Sequence, residues 1–174
     1  MKIGVYVGSF NPPHKGHIKI VNHLINNKYV DKILIIPTNN YWNKTNLIDL
    51  NHRLNMLKTF ENNNIIINNT LNNLEYTYQI INELKKDNNE YSLIIGSDKI
   101  VDFNKWKNYE ELLKLEILII NRNNIDTKYY LDKLNKKDKY KIINIKNIID
   151  EQVLDYIKKE NLYSKINIYD KIYL

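Results

Sequence analysis

The sequence predicts an α/β fold, a doubly wound parallel sheet in a single domain, and three observations carry that prediction. Blocks of unbroken Ile, Leu and Val recur along the 174 residues, as strands buried on both faces require. Helical patterns separate these blocks, the alternation that builds parallel sheets. The residues least suited to regular structure are Gly8-Ser9-Phe10, Pro37-Thr38-Asn39, Gly96-Ser97-Asp98 and Asn121-Arg122. They fall where strands should end, which is where such sheets bind ligands.

Taken in order, residues 2–7 form a buried first strand, and the segment Gly8 to Pro13, with two prolines, can extend neither strand nor helix. A helix follows over about 16–28, with Ile18, Val21, Leu24 and Ile25 on one stripe. Residues 32–37 are the second strand, stopped by Pro37, and a polar loop leads to Asp49. Asp49 can cap a helix that turns Leu50, Leu54, Leu57 and Phe60 to the core. Ile65-Ile66-Ile67 is the third strand, and a helix over about 76–86 leads to a fourth strand over 91–95, ending at Gly96. Asp98 is read as capping the short turn that carries Ile100, Val101 and Phe103. A helix over 109–114, a strand over 116–120, a helix over 129–134, a strand over 140–145 and a helix over 150–159 complete a Rossmann-like order.

Composition sets the limits. A chain of this length with 43% apolar residues is globular and builds one core. The absence of cysteine excludes disulfides and Cys-based zinc sites. No run approaches the ~18 apolar residues that a membrane span needs, and the opening run is too short for a signal peptide; the expected setting is cytoplasmic, with no membrane partner. The net charge of +6 comes almost wholly from lysine, since Arg53 and Arg122 are the only arginines. Readers of nucleic acid lean on arginine. Lys128, Lys133, Lys136, Lys137, Lys139 and Lys141 are therefore read as a solvated face, and nucleic acid is not the expected partner.

The densest chemistry lies in Gly8-Ser9-Phe10-Asn11-Pro12-Pro13-His14-Lys15-Gly16-His17. Gly8 permits a tight turn and close approach of a ligand to the backbone. A helix opening at Gly16 should offer free N–H groups and a positive end to phosphate. His14 and His17, three apart at that opening, can turn both rings toward one anion. A plain turn with two surface histidines is the rival reading. A metal site is a third, although no carboxylate adjoins the pair and a third ligand would have to come from afar.

This segment resembles the HxGH signature of the adenylyltransferase and cytidylyltransferase superfamily. The longer string is similar to that of bacterial-type nicotinate or nicotinamide mononucleotide adenylyltransferases, and the likeness runs in pieces over residues 3–163. The resemblance implies an HxGH nucleotidyltransferase domain over 1–163 with a C-terminal extension, 164–174, as an added strand or a homo-oligomer contact. It implies ATP and a pyridine mononucleotide as substrates, with Mg2+ carried on the ATP phosphates and no metal ligands in the protein. His14 and His17 would be catalytic, on the phosphates. Gly8, Ser9, Phe10, Lys44, Gly96, Asp98 and Arg122 would bind ATP, with Lys44 on phosphate and Asp98 on a ribose. Tyr76, Thr77 and Trp106 would bind the mononucleotide, Trp106 by stacking on the pyridine ring. Arg53 matches a characteristic arginine of the second helix, and Val153, Tyr156-Ile157 and Leu162-Tyr163 match the closing helix.

Each of these residues has an ordinary alternative. Trp106 can be a half-buried core residue, Asp98 a helix cap, Thr77 a surface residue, and Arg122 and Lys44 solvated charges. Arg53 can pair with an acid on its own helix for ~0.3 kcal/mol. Lys99, Asp102, Asn104 and Lys105 have only composition to recommend them, and His23 and His52 are given no role. The chain departs from the family in two places. Glu75 stands where a serine usually precedes the Tyr-Thr pair. Between Tyr140 and Val153 there is no Ser, Thr or Arg, where the family opens a phosphate-gripping helix with Ser-Ser/Thr-x-x-Arg; Lys141, Lys146 or lysines just upstream are the candidates to replace that charge. Other readings are a sister transferase acting on a different phosphate, a nucleotide-binding protein without turnover, and a basic RNA adaptor.

Overall fold

Six parallel strands form one sheet in the order β3-β2-β1-β4-β5-β6. The computed structural model describes residues 1–39, 46–122 and 124–145. Lys44, Lys146, the helix expected over 150–159, the closing-helix residues Val153, Tyr156, Ile157, Leu162 and Tyr163, and the boundary at 163/164 with its tail all lie outside the described residues.

The chain runs β1 (Lys2–Gly8), α1 (Lys15–Asn26), β2 (Lys32–Pro37), α2 (Leu50–Lys58), β3 (Ile65–Ile67), α3 (Thr77–Leu84), β4 (Glu90–Gly96), α4 (Ser97–Ile100), α5 (Tyr109–Leu113), β5 (Glu116–Ile120), α6 (Thr127–Lys133) and β6 (Tyr140–Ile143). From β1 the chain winds outward through β2 and β3, then crosses back to β4 and winds the other way. The switch in winding direction lies between β1 and β4.

Alternate residues of each strand feed two cores, as the two-residue period of a strand demands. Leu34 and Ile36 join Ile80 and Ile81 of α3, Leu112 of α5 and Leu131 of α6 on one face. Ile33 and Ile35 join Ile20, Val21 and Leu24 of α1 and Leu54 and Leu57 of α2 on the other. This double burial is why the strands read as unbroken apolar blocks.

Some local expectations change. The N-cap of α4 is Gly96, and Asp98 sits in the first turn with its carboxylate engaged elsewhere, so it does not cap. Phe60 lies past the end of α2 and is only half-buried. The helix expected from residue 129 starts at Thr127, because Asp126 accepts from the Tyr129 N–H at 3.1 Å and fixes an earlier start. Lys136 does not belong to a solvated face. It is 5% exposed, and its ammonium donates to the carbonyls of Leu113 at 2.5 Å and Leu115 at 2.9 Å, at and just past the end of α5.

Candidate functional site: a cleft between β1 and β4

β1 and β4 are paired from Lys2–Glu90 to Tyr6–Ile94 and no further. Beyond that point Val7 and Gly8 pair only with β2, and Ile95 and Gly96 only with β5. The sheet splits at the carboxyl ends of its two central strands, and a cleft of about 460 Å³ opens there. Its floor is Tyr6, Val7, Ile94 and Ile95.

The turn into α1 forms one wall. His14 is the N-cap, an unusual residue for that position, and it caps with its ring: the Gly16 N–H donates to His14 Nδ1 at 3.1 Å. In return the His14 N–H donates to His17 Nδ1 at 3.3 Å. The N–H groups of His17 and Ile18 both reach the His14 carbonyl. The N–H groups of His14, Gly16 and His17 at this helix start are therefore taken, because two histidines cap it reciprocally. With each Nδ1 accepting, the network assigns the ring proton of each neutral imidazole to Nε2. The wall thus carries two imidazole N–H groups at the helix start.

The two rings stack with centroids 3.8 Å apart. Behind His17 stand Phe10, edge-on at 5.0 Å, and Tyr6 at 6.2 Å. Burial lowers the His14 pKa to about 4, helped by nearby Arg122. Burial, the His14 ring and Arg122 lower that of His17 to about 3. At neutral pH both rings are uncharged donors.

The loop in front of them is held from behind by Arg53. This arginine is 1% exposed and has no carboxylate on its guanidinium among the described ion pairs. Its Nε donates to the Ile48 carbonyl at 2.7 Å, and Nη1 donates to those of Ser9 at 2.7 Å and Thr38 at 2.9 Å. Asn11 adds two bonds to the same segment, from its amide to the Asn46 carbonyl and from the Ile48 N–H to its Oδ1. Arg53 is not the surface partner of an acid on its own helix; through three carbonyls it joins the loop after β1 to both ends of the loop after β2. Phe10, at φ 47° and 3% exposed, fixes the loop's tip by burying its ring.

The opposite wall is charged. Asp98 Oδ1 accepts from Arg122 Nε at 2.6 Å and pairs with Nη2 at 2.5 Å, while Lys99 Nζ lies 3.1 Å from Oδ2. Burial alone would raise the Asp98 pKa, but Arg122 and Lys99 outweigh it and hold the carboxyl below its ordinary value. Ser97, fully buried, donates its hydroxyl to the Arg122 carbonyl at 2.6 Å and accepts from the Arg122 N–H at 2.9 Å, which joins the ends of β4 and β5. A Cβ at Gly96 would run into both the Arg122 guanidinium and the Asp98 carboxylate.

The cytidylyltransferase-like family model matches residues 5–166. The probable nicotinate-nucleotide adenylyltransferase of Fusobacterium nucleatum is 37% identical over 149 residues, covering 79% of this chain and 77% of that protein. Its counterpart in Acholeplasma laidlawii is 35% identical over 69% of this chain and 67% of its own length. The chain belongs to this adenylyltransferase family. Among solved structures, the Plasmodium falciparum nicotinic acid mononucleotide adenylyltransferase complexed with NaAD superposes with a TM-score of 0.72 at 25% identity, covering 94% of this chain and 97% of that one.

Of the residues this adenylyltransferase was expected to use, Gly8, Ser9, Phe10, His14, His17, Thr77, Gly96, Asp98, Trp106 and Arg122 all line the cleft. Tyr76 is not in that lining. It is the N-cap residue of α3, and its N–H donates to Gln79 Oε1 at 3.0 Å. Lys141, a candidate for the missing phosphate charge, is misplaced for it: its ammonium lies 5.2 Å over the Tyr29 ring and 3.9 Å from Glu116, the first residue of β5. That is the opposite end of the sheet. Thr38 and Asn39, singled out only as odd residues at a strand end, also line the cleft; sequence reasoning gave no site role to Lys99 and Glu75, which line it too, and missed the part played by Arg53. Among the described residues no group of three or more His, Cys, Asp or Glu could hold a metal ion, and no helix is long and apolar enough to cross a membrane.

Proposed function

We propose that the protein transfers the adenylyl group of ATP to nicotinate or nicotinamide mononucleotide, giving the dinucleotide and pyrophosphate, and that it does so in the cytoplasm. The observation that carries this reading is the stacked, reciprocally capped pair His14–His17 at the cleft where β1 and β4 part. A phosphate oxygen of the mononucleotide attacks the α-phosphorus in line, a new P–O bond forms, and the bond to the β-phosphate breaks. The attacking phosphate is already ionised, so no general base is needed. Catalysis is positioning and stabilisation of developing charge. Two neutral N–H donors on locked rings suit that role, since they need not reorganise as charge moves from the α- to the β-phosphate.

Gly8, Ser9 and Phe10 line the nucleotide's path, Arg122 and Lys99 supply positive charge, and Asp98 is the acceptor for a ribose hydroxyl once substrate loosens its pairing with Arg122. Thr77 and Trp106 form the mononucleotide side, with Tyr76 beside them. Lys44 belongs to the same reading as a phosphate ligand. Mg2+ enters as part of the substrate, on the triphosphate oxygens, where it neutralises charge. The transferase unit is residues 1–163, with 164–174 as an extension.

The test is an assay of the purified protein with ATP, Mg2+ and each mononucleotide, following pyrophosphate and dinucleotide. Turnover with either supports the reading, and ATP binding with no product from either overturns it. One observation favours a second reading, a nucleotide-binding protein without turnover. Residues 140–145 carry no replacement for the family's Ser/Thr-x-x-Arg charge, because Lys141 turns away to Glu116 and Tyr29.

A further inference from the structure

Among the described residues two carboxylates line the cleft, and they differ in what neutralises them. Asp98 is met by Arg122 and Lys99. Glu75 makes no ion pair among the described residues, and its carboxylate accepts from the Tyr76 hydroxyl instead. It sits two positions before the first residue of α3, Thr77, and shares the cleft lining with Thr77 and Trp106. Arg122 and the histidine donors keep together, since Arg122 acts on both rings. The cleft therefore has a cationic, donor-rich part for phosphates, and elsewhere an aromatic face and a carboxylate that no cation among the described residues pairs with.

The acceptor's ring suits that second part. In a pyridine mononucleotide the ring nitrogen bears the ribose and is a quaternary cation. With a carboxamide at the 3-position the ring unit keeps a net charge of plus one. With a carboxylate there it becomes a zwitterion whose exposed edge is negative. A π face attracts a cation, a carboxylate attracts it further, and the same carboxylate repels a second one.

We infer that Glu75 is a specificity-determining residue that weights the cleft toward the carboxamide mononucleotide and against the carboxylate one. The inference rests on the pyridine-mononucleotide reading given above. Its size is bounded by the exposure of Glu75, which lets water screen the charge, so about a fivefold effect on the ratio of the two substrates is expected.

The experiment measures kcat/KM for nicotinamide and nicotinate mononucleotide at saturating ATP, in the wild type, Glu75→Gln and Glu75→Ser. Both variants should lower the amide-to-acid ratio about fivefold, mainly through a lower KM for nicotinate mononucleotide. The KM for ATP should stay within about twofold of wild type, which a general disturbance of α3 would not allow. The wild-type ratio should also approach that of the variants as salt is raised, because an exposed charge is screened within a Debye length of about 10 Å at 0.1 M. A ratio identical in all three proteins overturns the role of Glu75 while leaving the transferase reading intact. Absence of turnover with both mononucleotides in the wild type overturns the transferase reading, and the role of Glu75 with it.

Discussion

The two walls of the cleft reach a similar state of readiness by opposite means. On the α1 side the donors are neutral: His14 and His17 are half-buried, stacked, and locked through Nδ1 by backbone N–H groups. On the β4–β5 side the groups are ionised, and Asp98, Arg122 and Lys99 hold one another. The first wall holds its rings in a fixed orientation without any charge on them. The second must exchange an internal ion pair for substrate, because the guanidinium that could meet phosphate is on Asp98. A site for a polyanion thus avoids presenting naked charge in either way, and its two walls should fail differently when altered.

The largest effect is expected on the neutral wall. His17→Ala removes an N–H donor aimed at developing charge, and it should cut kcat about 100-fold with little change in the KM for ATP. The ring also supports its neighbour, so His17→Asn is the sharper probe: it should recover part of the rate if donation is what matters. An unchanged kcat in purified His17→Ala protein would remove His17 from the mechanism.

The support behind that wall comes next. Arg53→Met leaves the carbonyls of Ser9, Thr38 and Ile48 without their donor in a buried place. The cost should be roughly 3 kcal/mol in urea unfolding. Arg53→Lys keeps the charge but cannot span three carbonyls with one ammonium, so it should recover only part of that stability. Full recovery by lysine would mean that charge, and not the fork, joins the loops.

The charged wall should respond more mildly, and its backbone is a clean place to push. Gly96 has φ −77°, which any residue can adopt, so Gly96→Ala adds no backbone strain. The new methyl meets the Asp98–Arg122 pair and must displace it. A roughly tenfold loss in kcat/KM for ATP, with the unfolding midpoint nearly unchanged, is the expected result. Lys99→Ala removes an exposed cation from the same wall and should raise the KM for ATP only two- to fivefold, an effect that fades at high salt.

How far the sequence could reach follows the same division. The strands were readable because both faces are buried, so Ile33 through Ile36 leave no polar residue to blur the block. The histidine turn was readable because glycine and proline are rare in this chain and cluster there. What could not be read was partnership across sequence distance. Arg53 serves Ser9, which lies 44 positions away, and nothing local separates that from a surface charge. Lys99, Lys136 and Lys141 are alike in a lysine-rich chain, yet one lines the cleft, one is buried on carbonyls, and one faces the far end of the sheet. The helix start shows the same limit: a motif tells which residues meet, but not that histidine rings would accept from the His14 and Gly16 N–H groups.

The smallest expected effect is a null one, and it separates the two walls most directly. If the histidines met phosphate as cations with an ordinary pKa near 6.5, kcat/KM for ATP would fall as pH rose through that value. Burial instead lowers the pKa of His14 to about 4 and that of His17 to about 3. Both rings are then neutral throughout pH 6–8, and kcat/KM, which reports groups of the free enzyme, should show no histidine limb in that window. Stability gives the complementary sign. A folded-state pKa below the unfolded value means that the unfolded chain binds more protons once pH drops below about 6.5, so the folded state loses stability from there toward pH 4. His14→Gln should flatten that acid slope, whereas Lys99→Ala should leave it in place. A histidine limb near pH 6.5 in kcat/KM would show that the free enzyme's rings are cationic after all, and the contrast between a neutral and a charged wall would collapse.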